Sequence, residues 1–176
     1  MRRIYSILTL VIILNCTVSI KANADSSTAH NEHLIGEIDQ SALLETPYRS
    51  WYKKNYSSYS PDKDSLEALE KGLNGIKVKI FMGTWCHDSQ REVPRLYKIL
   101  ENSNFDLSNL SLVSLSPDKN TPRGLEVGLS IQRTPTFIFF KNDVEIGRIV
   151  ETPRDSLEND MLKIVSGEEY KHSYQN

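Results

Sequence analysis

Cys86 is the residue of this sequence with the strongest potential for chemistry. It lies in the run Gly83–Ser89 (GTWCHDS), between a strand-like segment and a helix-like segment. A thiol at the start of a helix lies close to unpaired backbone N–H groups and to the positive end of the helix dipole, and both favour the thiolate. Because the thiolate is the nucleophilic form of cysteine, the pattern predicts a reactive thiol.

The residues beside Cys86 are expected to line its site. Trp85 precedes the thiol in a turn, His87 would favour the thiolate when protonated, and Asp88 would oppose it as a like charge. Ser89 stands three residues after the thiol and could donate its hydroxyl proton to the sulfur. We therefore predict Cys86 and Ser89 as the catalytic residues, with the other three around them.

The other cysteine, Cys16, lies in a segment typical of a secretory signal peptide, residues 1–24. The basic pair Arg2-Arg3 precedes an apolar stretch, and Ala22-Asn23-Ala24 places small residues before a cleavage site. An uncleaved membrane anchor and a lipid on Cys16 are the alternatives. Cleavage would leave Cys86 as a lone thiol in an oxidising compartment, without a partner for an internal disulfide.

Strand-like and helix-like segments alternate around the thiol. Ile76–Met82 has the alternation of a strand, and the helix after Cys86 contains Pro94, which should kink it. Residues 122–130 are expected to form a short helix or an irregular crossover. Further strands are predicted at 110–115, 136–140 and 145–150, with a hairpin at Asn142-Asp143 and a last helix that ends at Gly167. This order predicts an α/β class with a mixed central sheet and helices on both faces.

The predicted domain comprises residues 76–170. Residues 25–75 precede it and are predicted to form a polar tail, which ends at about Leu34, followed by a helical extension. One helix is expected within 41–59 and a second is expected to end at Gly75, capped by Asp64 or Ser65. Four aromatic residues share one face of the first helix: Tyr48, Trp51, Tyr52 and Tyr56. Packing on the domain is the favoured interpretation of that face, and a ligand-binding stripe is the alternative.

The order of elements and their motifs resemble the thioredoxin superfamily. Pro94 stands eight residues after Cys86, as the helix-kinking proline of thioredoxins does, and Gln132–Thr136 is similar to their cis-proline loop. The resemblance implies a thioredoxin fold in which Thr134 and Pro135 line the thiol site. The Trp-Cys-His-Asp-Ser run resembles an exported bacterial subgroup of the superfamily.

Two positions depart from the thioredoxin pattern. Ser89 replaces the second cysteine of Cys-x-x-Cys, and Ile80 stands where thioredoxins carry a buried carboxylate. The resemblance implies thiol-disulfide exchange through Cys86, in which a mixed disulfide forms and an external thiol must release it. The alternative is a redox-inactive protein-binding module on the same fold.

The expected partners are protein or small-molecule thiols and disulfides, met in the periplasm or outside the cell. A net charge of −2 gives no indication of a nucleic-acid surface. No cofactor is predicted, and no metal, because His30 and His33 lack cysteine or carboxylate neighbours. No stable membrane anchor is expected after signal cleavage. A cysteine hydrolase is disfavoured, since Cys86 and His87 are adjacent and such a pair is assembled from distant segments.

Overall fold

The computed structural model describes residues 33–175 of the chain. This range contains five strands and five α-helices, joined by turns and loops. The strands are β1 (Gly36–Ile38), β2 (Ile76–Met82), β3 (Leu110–Ser114), β4 (Thr136–Lys141) and β5 (Val144–Val150). The helices are α1 (Gln40–Leu43), α2 (Arg49–Ser58), α3 (Lys63–Gly72), α4 (His87–Asn102) and α5 (Leu157–Ser166). The predicted signal peptide, with Cys16, lies outside the described residues, as does His30.

The strands form one mixed sheet in the order β1-β3-β2-β4-β5. Strand β2 is central, parallel to β3 and antiparallel to β4. Strands β4 and β5 form the predicted hairpin, in which Asn142 and Asp143 have φ of 52° and 62°. Two consecutive positive φ values are the requirement of a type I′ turn, whose twist matches that of the strands.

Two apolar clusters cover the two faces of the sheet. Val78 of β2 belongs to the larger cluster and Phe81 to the smaller one, as the alternation of a strand requires. The buried hydrophobic residues of all five described α-helices belong to the larger cluster. The smaller cluster is covered by residues 116–135, which form turns.

The mixed α/β class is therefore confirmed, but the expected helices on the second face are not found among residues 33–175. The predicted crossover at 122–130 takes its irregular form. Gly124 and Gly128 adopt φ of 64° and 81°, which lie in the left-handed region and interrupt a right-handed helix.

The sheet includes residues 36–38, which were expected to lie in the helical extension. Strand β1 pairs antiparallel with β3, with Gly36 opposite Ser114. Just before it, the Leu34 N–H donates to Thr84 Oγ1 at 3.2 Å. Strand β1 has three residues, too few for a period-two pattern to be recognised in the sequence.

The helix expected within 41–59 is α2; a separate short helix, α1, precedes it, and the Thr46–Pro47 peptide bond between the two is cis. On α2, Tyr52 is buried in the larger cluster, and Trp51 and Tyr56 pack against it while half-buried. The rings of Tyr52 and Tyr97 of α4 meet edge to face at 6.3 Å. The aromatic face thus packs α2 on α4, in agreement with the favoured interpretation.

The cap of α3 differs from both predicted residues. Asp62 is the N-cap, and its carboxylate accepts a hydrogen bond from Ser65 N at 2.8 Å. That hydrogen bond lowers the pKa of the Asp62 carboxyl below its ordinary value. Asp64 lies in the first turn, where a negative charge also suits the helix dipole.

Candidate active site

Cys86 is the N-cap residue of α4, directly after the turn that follows β2. Its backbone N–H donates to the Gly83 carbonyl at 3.0 Å, and its own carbonyl accepts from Gln90 N at 3.0 Å. The side chain is half-buried. The central strand and the first turn of α4 therefore hold the thiol at a fixed place near the unpaired N–H groups of that turn.

The loop at Gln132–Thr136 meets the thiol from a distant part of the chain. Cys86 Sγ donates to the carbonyl oxygen of Thr134 at 3.1 Å. Thr134 and Pro135 are buried, and the peptide bond between them is cis. The Thr134 N–H has no hydrogen-bond partner within residues 33–175. The fold thus brings together Cys86, Thr134 and Pro135, as the resemblance implied.

Ser89 lies in the first turn of α4, and none of its surface is exposed. Its hydroxyl oxygen accepts from Gly83 N at 3.2 Å. The predicted hydrogen bond from Ser89 to the sulfur is not present among the described residues. The hydroxyl instead satisfies a buried backbone donor of the turn that carries the thiol.

The Trp85 side chain folds back over the turn. Its indole Nε1 donates to the Leu115 carbonyl at 3.0 Å. A Cβ atom on Gly83 would lie 2.5 Å from the indole ring, so this close approach requires glycine. Trp85 therefore joins the thiol turn to the end of β3.

His87 and Asp88 form the first turn of α4 beside the thiol. The His87 side chain is exposed. Asp88 Oδ1 accepts from the Arg91 guanidinium at 2.6 Å. Because Arg91 lies one turn away, it offsets the negative charge that was expected to oppose the thiolate.

Ile80 occupies the position of the thioredoxin carboxylate and is fully buried in β2, opposite Leu112 and Phe137. A different buried acid, Glu92, lies on α4. Its Oε1 accepts from Arg91 and Arg95 at 2.5 and 3.2 Å, and its Oε2 has no partner within the described chain.

The buried pairing of Glu92 was not predicted from the sequence. In the sequence, the only indication of this pairing is that Arg95 stands three positions after Glu92. Such spacing is more often found between exposed side chains on a solvated helix face.

Other chemistry has little support in the part of the chain that the structure describes. No three His, Cys, Asp or Glu side chains of residues 33–175 are arranged to hold a metal ion. Cys86 is the free cysteine of this range. No helix within it combines the length and apolar character needed to cross a membrane.

Known proteins are similar to this chain in sequence or in structure. Thioredoxin H9 of Arabidopsis thaliana is 26% identical over 145 residues, which cover 82% of this chain and 89% of that protein. A crystal structure of a Pseudomonas aeruginosa protein of unknown function aligns with a TM-score of 0.57 and 18% identity, over 76% of this chain and 93% of that one. A thioredoxin structure from Fasciola hepatica aligns over 47% of this chain and 73% of that one, with 17% identity and a TM-score of 0.32. The thioredoxin family model matches residues 38–163, which is more than two thirds of the sequence, and the chain therefore belongs to the thioredoxin family.

Proposed function

We propose that this protein is an exported, monothiol thioredoxin-like protein that carries out thiol-disulfide exchange through Cys86. The observation that carries the proposal is the position of Sγ, half-buried at the N-cap of α4 and 3.1 Å from the Thr134 carbonyl. The Thr134 N–H, which has no acceptor within residues 33–175, lies in the same loop. An extended peptide could hydrogen-bond to this backbone while its disulfide meets the thiol.

The proposed exchange has two steps. The Cys86 thiolate attacks one sulfur of a substrate disulfide, a new S–S bond forms between protein and substrate, and the other substrate sulfur leaves as a thiolate. A second thiol, on the substrate or in solution, then attacks this mixed disulfide as a thiolate and displaces Cys86, which leaves as a thiolate. Ser89 cannot supply that second thiol. The chemistry therefore favours disulfide isomerisation or thiol exchange over net dithiol reduction.

Alkylation of the folded protein tests the reactive thiol. We expect iodoacetamide to modify wild-type protein rapidly at neutral pH and to leave Cys86→Ser unmodified within residues 33–175. In a separate experiment, unalkylated wild-type protein is mixed with a peptide disulfide; intact mass should detect a stable mixed disulfide between Cys86 and one half of the peptide, while the other half leaves as a thiol. A thiol that reacts only after unfolding would contradict the proposal and favour the binding module.

The binding module is the second candidate, supported by Ser89 and Ile80 at the two positions where thioredoxins carry groups for the resolving step. It predicts that Cys86→Ser retains full affinity for a partner captured by the wild-type protein. Exchange through Cys86 predicts instead that covalent capture is lost in that variant.

Export is proposed from the sequence of residues 1–24 alone. Cleavage after Ala24 would release a chain that begins at Asp25 into the periplasm or the medium. Intact mass of the exported protein measures this directly. Retention of Met1, or a lipid on Cys16, would exclude this cleavage.

A further inference from the structure

A strap of six residues, 170–175, follows α5 and is fastened to the domain at several points. The Tyr170 hydroxyl donates to Asp160 Oδ2 at 2.7 Å, and burial together with this bond raises the pKa of Tyr170, so that the hydroxyl stays protonated. The Arg154 guanidinium donates to the Lys171 carbonyl at 3.3 Å. Beyond this, Ser173 Oγ donates to the carbonyl of residue 152 at 2.9 Å. These contacts carry the strap past the end of β5.

The strap reaches the loop that lies against the thiol. The Tyr174 ring lies under the Arg133 guanidinium, with 4.0 Å between the guanidinium carbon and the ring centroid. The Tyr174 hydroxyl donates to Glu151, whose carboxylate also accepts from Arg133 at 3.4 Å. Arg133 immediately precedes Thr134, whose carbonyl accepts the Cys86 thiol proton.

Arg133 belongs to this loop, and the backbone of Glu151, which follows β5, is hydrogen-bonded to it. Glu151 N donates to the Pro135 carbonyl at 2.7 Å, and Thr136 Oγ1 donates to the Arg133 carbonyl at 2.7 Å. Tyr174 thus contacts two side chains. Arg133 is part of the loop, and the backbone of Glu151 is hydrogen-bonded directly to it. Nearly half of the Tyr174 surface is exposed, so its contribution to the core is small.

We propose that Tyr174 is a positioning residue, which holds the Arg133–Pro135 loop in place for disulfides carried on extended peptides. The proposal rests on the proposed function of Cys86. A peptide needs the Thr134 backbone at a fixed place, because it must pair with that backbone while its sulfur reaches Sγ. A small disulfide needs access to the thiol alone. Loss of the strap contact should therefore slow exchange with peptides and leave exchange with small disulfides unchanged.

Two substrates with one leaving group provide the test. The first is dithiobis-nitrobenzoate. The second is a linear peptide whose single cysteine is joined through a disulfide to thionitrobenzoate. In both reactions the Cys86 thiolate forms the new S–S bond and coloured thionitrobenzoate leaves, so one absorbance measures both rates.

In Tyr174→Ala, the second-order rate constant for the peptide should fall about two- to five-fold, the range that a half-exposed cation–π contact corresponds to. The rate constant for dithiobis-nitrobenzoate should not change. Tyr174→Phe keeps the ring under Arg133 and should retain most of the peptide rate. Val144→Ala, an exposed apolar truncation at the other end of β5, is the matched control and should change neither rate. An equal loss on both substrates, or no loss on the peptide, would overturn the proposal.

Hydrogen exchange separates this proposal from that of the reactive thiol. The backbone amide of Glu151, which donates to the Pro135 carbonyl, should exchange faster in Tyr174→Ala than in wild type or Val144→Ala. If wild-type Cys86 reacts with neither disulfide, the proposed function fails and the amide exchange alone decides the positioning role. Unchanged exchange at the Glu151 amide would then refute it.

Discussion

Ser89→Cys separates the two steps of the proposed exchange at this site. The Ser89 hydroxyl is fully buried and accepts from Gly83 N at 3.2 Å. A thiol is a weaker acceptor, so loss of this hydrogen bond costs about 1 kcal/mol. The larger sulfur adds about 1 kcal/mol of overpacking. For a chain of this length, the reduced variant should therefore have a Tm about 4–8 °C below that of the wild type.

The chemistry should change in the opposite direction. In a mixed disulfide of the variant, the new thiol lies three residues from Cys86 and can attack it, so that an internal disulfide forms and the peptide leaves as a thiol. Residues 33–175 of the wild-type protein contain no second cysteine that could make this attack. Without external thiol, the variant should release the peptide at least about tenfold faster, since an intramolecular attack replaces a bimolecular one. Acid quenching followed by intact mass measures the adduct that remains.

Ser89→Ala is the matched control for both effects. It removes the acceptor of the buried Gly83 N–H and should cost about 1–3 kcal/mol, but it adds no thiol. Its adduct should therefore persist as long as that of the wild type. Equal release by wild type and Ser89→Cys would refute the assignment of Ser89 to the resolving position. An unchanged Tm in both variants would refute the role of the Gly83 hydrogen bond.

Four further substitutions test the contacts that hold the elements around the thiol. In Gly83→Ala, the new Cβ would lie 2.5 Å from the Trp85 ring, so the indole must move. The fluorescence emission of Trp85, recorded in a Trp51→Phe background, should therefore shift. Unchanged emission would contradict this close contact. Tyr52→Ala should lower the free energy of unfolding by about 3–5 kcal/mol, and Trp51→Ala, which is only half-buried, by less than half of that. Equal losses in urea unfolding would contradict this burial pattern. Asp62→Ala should lower the Tm at neutral pH, because the lowered pKa of this carboxyl means that its cap stabilises the protein above the ordinary carboxyl pKa and is lost as the pH falls through the lowered value. The Tm values of variant and wild type should therefore converge in acid, whereas a difference independent of pH would exclude a role for the charge.

The position of the thiol, between a strand and a helix, was predictable because the sequence patterns of these two elements are local. The alternation of Ile76–Met82 and the apolar period after Cys86 determine a strand and a helix whose junction must carry the thiol. The meeting of Cys86 with Thr134 is non-local, and only the family resemblance predicted it. Apolar periods cannot place two loops 48 residues apart against each other.

The features that could not be predicted depend on the direction in which a side chain or a chain segment points in the folded protein. The sequence allowed the Ser89 hydroxyl to face the sulfur, whereas in the fold it faces Gly83 N. Strand β1 is too short for a period, and the strap at 170–175 has none. The strap is held by single side chains that contact residues far away in the sequence, such as Tyr174 on Arg133. Such contacts leave no periodic pattern.

The two departures from the thioredoxin pattern are consistent with each other in physical terms. Ser89 still satisfies the Gly83 N–H, so the turn that holds Cys86 does not depend on a second thiol. At position 80, an isoleucine fills a fully buried apolar site between β3 and β4. A carboxylate there would have to be desolvated, at a cost of several kcal/mol if unpaired. Without a resolving thiol to deprotonate, nothing in the exchange would offset that cost. The fold thus keeps the groups that position Cys86 and carries, at positions 80 and 89, neither the carboxylate nor the second thiol of the thioredoxin pattern, which is the arrangement expected for the proposed monothiol exchange.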